Sequence, residues 1–229
     1  MDAASSPGAA AGKRVRVIFV GSPGAGKGTQ AAKLAAYLGV PRISTGDMLR
    51  DAISEGTPLG QQAEPLMDQG NLVPDDLLIA LVRERTEQED CARGVVLDGF
   101  PRTVRQAEGR AEMSSGNVAD WTVFSIEVPR EELLRRLSGR RWCPKCQATY
   151  HLTSSPPKRE GVCDLDGTAL VQREDDAESV VAQRLQQYAE LTEPLIDYYS
   201  ERADMIRIDG NRPMEEVFAD LKQRLGVAA

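Results

Sequence analysis

No run of apolar residues in this chain approaches the length of a membrane span, which excludes a helical integral membrane protein. Aromatic residues are few, at 5% of 229 residues, and histidine occurs once, at His151. Cysteine is scarce as well. Four cysteines in a chain this long do not make a disulfide scaffold, and two of them in C-x-x-C spacing point to metal or redox chemistry. Basic charge is in deficit: 28 Lys and Arg face 35 Asp and Glu, a net charge of −7. That balance argues against a general nucleic-acid binder, although a local basic cluster could still hold small phosphates. Residues 1–13 are rich in Ala, Ser, Gly and Pro. They have neither the hydrophobic core of a signal peptide nor an arginine before Arg14, and they read as a disordered lead-in. A cytoplasmic setting is expected. There are no internal repeats, and the apolar share of 41% is enough for one core domain with inserted subdomains.

What is present centres on Gly21-Ser22-Pro23-Gly24-Ala25-Gly26-Lys27-Gly28-Thr29-Gln30. The run before it, Val15 to Val20, is short, apolar and β-branched, as a buried strand is. The run after it has Leu34 and Leu38 on one helical face. Strand, glycine-rich turn and helix form the setting of a phosphate-binding loop. Glycines let the backbone approach an anion, the helix N-terminus adds partial positive charge, and Lys27 adds a full one. Gly28 stands where the general pattern has Ser or Thr, and Thr29 follows. The bland alternative is a β–α turn with no ligand.

Further strands are expected at 41–44, 94–98, 121–128 and 205–208. Helices are expected opening at Thr45 and over 75–89, 103–115, 129–137 and 213–225, with short helical pieces between 51 and 75. A long helix is expected over 177–202, bent at Pro194. Strands alternating with helices imply an α/β fold whose five-stranded parallel sheet is covered on both faces. Two inserts, 44–73 and 139–176, leave near the strand C-terminal ends, where such folds bind ligands.

Asp98 ends an apolar strand, where a P-loop fold places its magnesium-side acid; the alternative is a turn-forming Asp before Gly99. Arg50, Arg102, Arg136, Arg140, Arg173 and Arg184 lie near motif or insert boundaries. Guanidinium groups match the charge that develops in phosphoryl transfer, though spacing alone does not separate these arginines from solvated surface ones. Cys143-Pro144-Lys145-Cys146, then sixteen residues, then Cys163-Asp164-Leu165-Asp166 make two x2-spaced knuckles. That pattern predicts structural zinc, with Asp166 as the fourth ligand and His151 as its rival; a metal-free lid is the alternative. Cys91 is left without a role.

The glycine-rich loop resembles that of adenylate kinases, in which Gly follows the lysine. So do Ser44-Thr45-Gly46-Asp47-Met48-Leu49-Arg50, Gly70-Asn71-Leu72-Val73-Pro74-Asp75, Asp98-Gly99-Phe100-Pro101-Arg102-Thr103, Gly139-Arg140-Arg141, Arg173-Glu174-Asp175-Asp176, Arg184-Leu185 and Tyr198-Tyr199, in order from about residue 15 onward. The resemblance implies a P-loop NTPase core over 14–43, 74–138 and 177–229, an NMP-binding insert over 44–73 and a zinc-ribbon-like lid over 139–176. It implies Mg²⁺-dependent phosphoryl transfer from ATP to AMP, giving two ADP, by a monomer. Gly24, Ala25, Gly26, Lys27, Gly28 and Thr29 would hold the ATP phosphates. Arg136 and Arg140 would hold ATP from the lid side, and Thr149, Tyr150 and Arg212 would line its base. Thr45, Arg50, Leu72, Val73, Gly99, Phe100, Pro101, Arg102 and Gln106 would hold AMP, with Gln106 reading adenine. Arg173 and Arg184 would bridge the phosphates; Asp47 and Asp98 would hold magnesium through water. Many bacterial relatives have three Cys and a Cys or Asp at the lid spacing, which supports zinc. The alternatives are a related kinase with another donor or acceptor, a P-loop switch, or a zinc-ribbon nucleic-acid binder. No Asn-Lys-x-Asp guanine motif supports the switch, and the acidic balance opposes the binder.

Overall fold

The computed structural model describes residues 14–113 and 121–227. The expected lead-in at 1–13 and the expected end of the fifth helix at 114–115 lie outside the described residues. Strands β1 (Val15–Val20), β2 (Arg42–Ser44), β3 (Gly94–Asp98), β4 (Thr122–Glu127) and β7 (Asp204–Asp209) form a parallel sheet in the order β2-β3-β1-β4-β7. Strands β5 (Arg140–Trp142) and β6 (Thr149–His151) pair antiparallel in a separate small sheet. The helices are α1 (Lys27–Leu38), α2 (Thr45–Ser54), α3 (Pro58–Asp68), α4 (Asp75–Thr86), α5 (Val104–Met113), α6 (Arg130–Ser138), α7 (Glu178–Gln187), α8 (Pro194–Ser200) and α9 (Met214–Arg224).

Alternation along β1 divides the core. Ile18 and Val20 face a cluster that includes Leu78, Phe100, Leu195 and Tyr199; Val17 and Phe19 face one that includes Leu34, Phe124, Leu137 and Leu221. Both faces of the sheet are therefore covered, which is why its strands are continuously apolar. Each central residue buried this way contributes roughly 1.5–3 kcal/mol.

The expected five strands and their parallel arrangement are present. The long helix over 177–202 is not continuous: α7 gives way to a π-helical stretch, Tyr188–Thr192, before α8 opens with Pro194 in its first turn. A proline there needs no donor and meets the helix as a starting residue rather than as a kink. The Tyr188–Thr192 stretch also brings Thr192 Oγ1 to donate to Arg102 O at 2.8 Å, tying it to the segment after β3. Ser44 caps α2 by accepting from Asp47 N at 3.3 Å.

Candidate functional site

All five main strands end at one edge, and a cavity of about 1110 Å³ opens there. Its floor is the loop from β1 into α1. Gly24 and Gly26 have φ of 83° and 95°, in the region where only glycine is unstrained, and a side chain at Gly24 would stand 3.0 Å from Leu137 Cγ. The chain can therefore turn tightly enough to present the N-terminus of α1 to the cavity. Gly28, the departure from the general pattern, has a spatial reason: a Cβ there would lie 3.2 Å from Asp98 Oδ2. Absence of a side chain lets the Asp98 carboxylate close on the first turn of α1.

Lys27 is folded over this loop, its Nζ donating to Gly21 O at 2.6 Å and Ser22 O at 2.9 Å. Burial pushes its pKa down to about 7; Asp98 opposes the shift, while Arg102, Arg184 and Arg140 add to it. Burial and the neighbouring Arg184 likewise lower Arg102. Arg173, buried and held beside Arg50 and Arg140, is pushed down to about 9, and its guanidinium lies 5.4 Å from the Trp142 ring centre. Arg140 Nε donates to Asp176 Oδ2 at 2.5 Å, and Arg184 Nη1 donates to Asp176 Oδ1 and to Asp175 O, each at 2.8 Å. Two acids thus serve several cations, and the imbalance leaves a strongly positive centre. Such a centre suits an anion carrying many charges.

Arg42 went unremarked in the sequence, where 41–44 reads simply as a strand. Its guanidinium pairs with Asp98 at 3.2 Å and more tightly with Asp47, which Arg50 also pairs. Burial raises the Asp47 carboxyl, but Arg50 and Arg42 outweigh burial and hold it below the usual range. The register of β2 on β3, with Ser44 opposite Asp98, is the signal that could have placed Arg42 near these acids.

Thr45, Arg50, Leu72, Val73, Gly99, Pro101, Arg102, Arg136, Thr149, Tyr150 and Arg212 all line the cavity with the loop, Asp47, Asp98, Arg140, Arg173 and Arg184. Gln106 and Phe100 do not; both are fully buried beneath it. Gln106 Oε1 accepts from Arg102 N at 2.7 Å, and Nε2 donates to Asp75 Oδ1 at 2.8 Å. Arg136 and Arg212 are held at the other end, Arg136 donating to Gly210 O and Arg212 to Asp209 O, each at 3.0 Å. The segments 44–73 and 139–176 meet across the opening: Gln147 of the second donates to Asp51 of the first, and Arg50 approaches the Trp142 ring at 5.8 Å.

Cys143, Cys146, Cys163 and Asp166 converge, with one ligand atom from each within 4.8 Å of the others. Cys146 Sγ and Cys163 Sγ are 3.5 Å apart, and Cys143 Sγ is 3.4 Å from Asp166 Oδ2. A zinc tetrahedron with bonds near 2.3 Å has edges of about 3.7 Å, so the set fits that ion. The two knuckles are built alike. Gln147 and Gly167, each just after its second ligand, take left-handed φ of 62° and 75°, and their amides donate to Cys143 O and Cys163 O. His151 is not in the cluster: its Nδ1 accepts from Thr153 N and Ser154 N, each at 3.1 Å. Among the described residues only Tyr150, Ala148 and Leu170 pack with the buried cysteines, too small a core to hold this segment alone.

No helix among the described residues is long and apolar enough to cross a membrane. A sequence model of the family described as "Adenylate kinase" matches residues 19–204. The chain is 52% identical over 213 residues to an adenylate kinase of Exiguobacterium sibiricum, covering 93% of this chain and 99% of the relative. It is 48% identical to an adenylate kinase of Oceanobacillus iheyensis, covering 92% and 99%, and 47% identical to one of Bacillus subtilis, covering 93% and 98%.

Proposed function

The chain belongs to the adenylate kinase family, and on that premise we propose that it transfers the γ-phosphoryl group of ATP to AMP, giving two ADP. The observation that carries this reading is the convergence of Lys27, Arg102, Arg140, Arg173 and Arg184 on one cavity that also holds the P-loop. Gly24, Ala25, Gly26, Gly28 and Thr29 would cradle the ATP phosphates, with Lys27 leaving its loop carbonyls for the β and γ groups. Arg136, Thr149, Tyr150 and Arg212 would border the ATP end. Thr45, Arg50, Leu72, Val73, Gly99, Pro101 and Arg102 would border the AMP end. Arg140, Arg173 and Arg184 would neutralise charge between them as the phosphoryl group moves. Positioning and electrostatics supply such catalysis, so no general base is assigned. Asp47 and Asp98 would hold a magnesium ion through water, and the ion would supply positive charge to offset that of the ATP phosphates; Arg42 would then share these carboxylates with it. The segments 44–73 and 139–176 would act as NMP-binding insert and lid, excluding water so that ATP is not hydrolysed. Cys143, Cys146, Cys163 and Asp166 would hold a structural zinc.

The test is a panel of ATP or GTP as donor against AMP, GMP, CMP and UMP as acceptors. The reading expects ATP with AMP to be preferred. A preference for GTP or another acceptor would keep phosphoryl transfer and move the base contacts elsewhere.

Gln106 would read adenine by exchanging its bonds to Arg102 N and Asp75 for bonds to the base. Gln106→Ala should narrow the gap in kcat/KM between AMP and other monophosphates by about tenfold or more, since an unpaired polar edge is what rejects a wrong base. Unchanged selectivity would remove this assignment.

Lys27 gives a proton-linked expectation. Its pKa of about 7 in the nucleotide-free protein lies below the ordinary 10.5, so the unfolded chain binds more protons between those values. The nucleotide-free protein should therefore gain stability from this group as pH rises through that window, and none below it. Phosphates beside Lys27 would restore the charge, so ATP binding at about pH 8 should take up close to one proton. Binding enthalpies in buffers of different ionisation heat would read this, and uptake should vanish in Lys27→Met. Equal enthalpies in all buffers for the parent protein would contradict it.

A further inference from the structure

Trp142, the last residue of β5, is half-buried, yet among the described residues it belongs to none of the three apolar clusters. It does not line the large cavity either. Its ring lies against cations instead. The guanidinium carbon of Arg173 is 5.4 Å from the ring centre and that of Arg50 is 5.8 Å from it, both within reach of a ring's negative face. Arg173 comes from the same segment as the ring, 139–176, and Arg50 from the other, 44–73. Backbone bonds fix the ring in place. Trp142 N donates to Val171 O at 2.8 Å, and Trp142 O accepts from Val171 N at 2.9 Å, two residues before Arg173. Cys143 of the converging cysteine set follows Trp142 directly.

The two arginines repel one another: after burial, Arg50 is the main influence lowering the Arg173 pKa. Arg140 and Arg184 are each held by the Asp176 carboxylate, and Arg50 pairs with Asp47. Among the described residues no carboxylate lies within ion-pair distance of Arg173, and Asp175 and Asp176 act on it only from further off. An acid in place of Trp142 would hold these cations but cancel the charge that phosphate oxygens need. An aromatic face attracts them and leaves their in-plane N–H donors for a ligand. We infer, resting on the function proposed above, that Trp142 is a positioning residue, whose ring aligns Arg173 and Arg50 on the nucleotide phosphates when the two segments meet.

Ring fluorination tests this role, because fluorine withdraws charge from the π face and nearly keeps the shape of the side chain. Tryptophans with successively more ring fluorines, incorporated at position 142 alone, should lower kcat/KM for AMP in graded steps, by about tenfold in all. Melting should stay level across the series, and a ring that served only to pack would leave kcat/KM level too. Trp142→Leu should lose at least as much, and Trp142→Phe, which keeps a π face, should recover part of it. Should Trp142→Leu fail to fold, the fluorinated series decides, since it keeps the ring. Failure of the unsubstituted protein to form ADP from ATP and AMP would overturn the proposed function and this role with it. Full activity toward AMP in the unsubstituted protein, with kcat/KM flat across the fluorinated series, would overturn the role of Trp142 alone.

Discussion

Replacing Lys27 with alanine should lower ADP formation from ATP and AMP by about 10³-fold while the fold and melting behaviour stay near those of the parent. The size follows from losing a preorganised charge at a buried site where phosphoryl charge develops, for which single-donor removals cost about 10²–10³. The fold should survive because, among the described residues, Lys27 Nζ donates only to Gly21 O and Ser22 O of its own loop, and a buried ammonium surrounded by Arg102, Arg140 and Arg184 is itself unfavourable. Below about pH 7, where Lys27 carries its charge, the Ala variant should melt slightly higher without nucleotide, since desolvation and repulsion both disappear. Turnover within a few-fold of the parent would refute the role given to this lysine.

The second large effect concerns the lid. Protein purified without chelator should contain one zinc per chain, and removing it should collapse hydrogen-exchange protection across residues 139–176 before the core is touched. The 139–176 segment has a minimal apolar core around Tyr150, so the proposed zinc would supply most of the energy that orders it. Apparent contributions of structural zinc reach about 10–16 kcal/mol in small peptides. Asp166→Ala should reproduce much of this loss, because it leaves three thiol ligands and an open position. His151→Ala should not affect zinc content, since its ring accepts from Thr153 N and Ser154 N instead. Absence of zinc by elemental analysis, or lid protection indifferent to chelation, would contradict the assignment.

The glycine loop, the parallel sheet and the paired knuckles were legible in the sequence because each is set locally. Positive φ demands glycine at Gly24 and Gly26, alternation and β-branching mark the strands, and ligand spacing marks the metal set. Side-chain reach was not legible. Arg42 belongs to a three-residue strand whose sequence reveals nothing of Asp98, and only the β2–β3 register brings them together. Gln106 lies on a helix adjoining the cavity, yet its amide is spent on Arg102 and Asp75 because α4 and α5 pack against each other there. Arg110 reads as an ordinary last-turn cation, and its burial against Trp121 depends on how α5 lies along the sheet. The break between α7 and α8 was likewise hidden. Proline suggested a bend at one residue, whereas the helix widens over Tyr188–Thr192 before it.

The measurement that tests the central claim most directly is ADP production from ATP and Mg²⁺ with and without AMP. A cavity closed by Gln147 against Asp51 over the arginine cluster predicts ADP only when AMP is present, two per ATP consumed. ADP formed at the same rate without AMP, accompanied by free phosphate, would contradict it, because the site would then be passing the phosphoryl group to water.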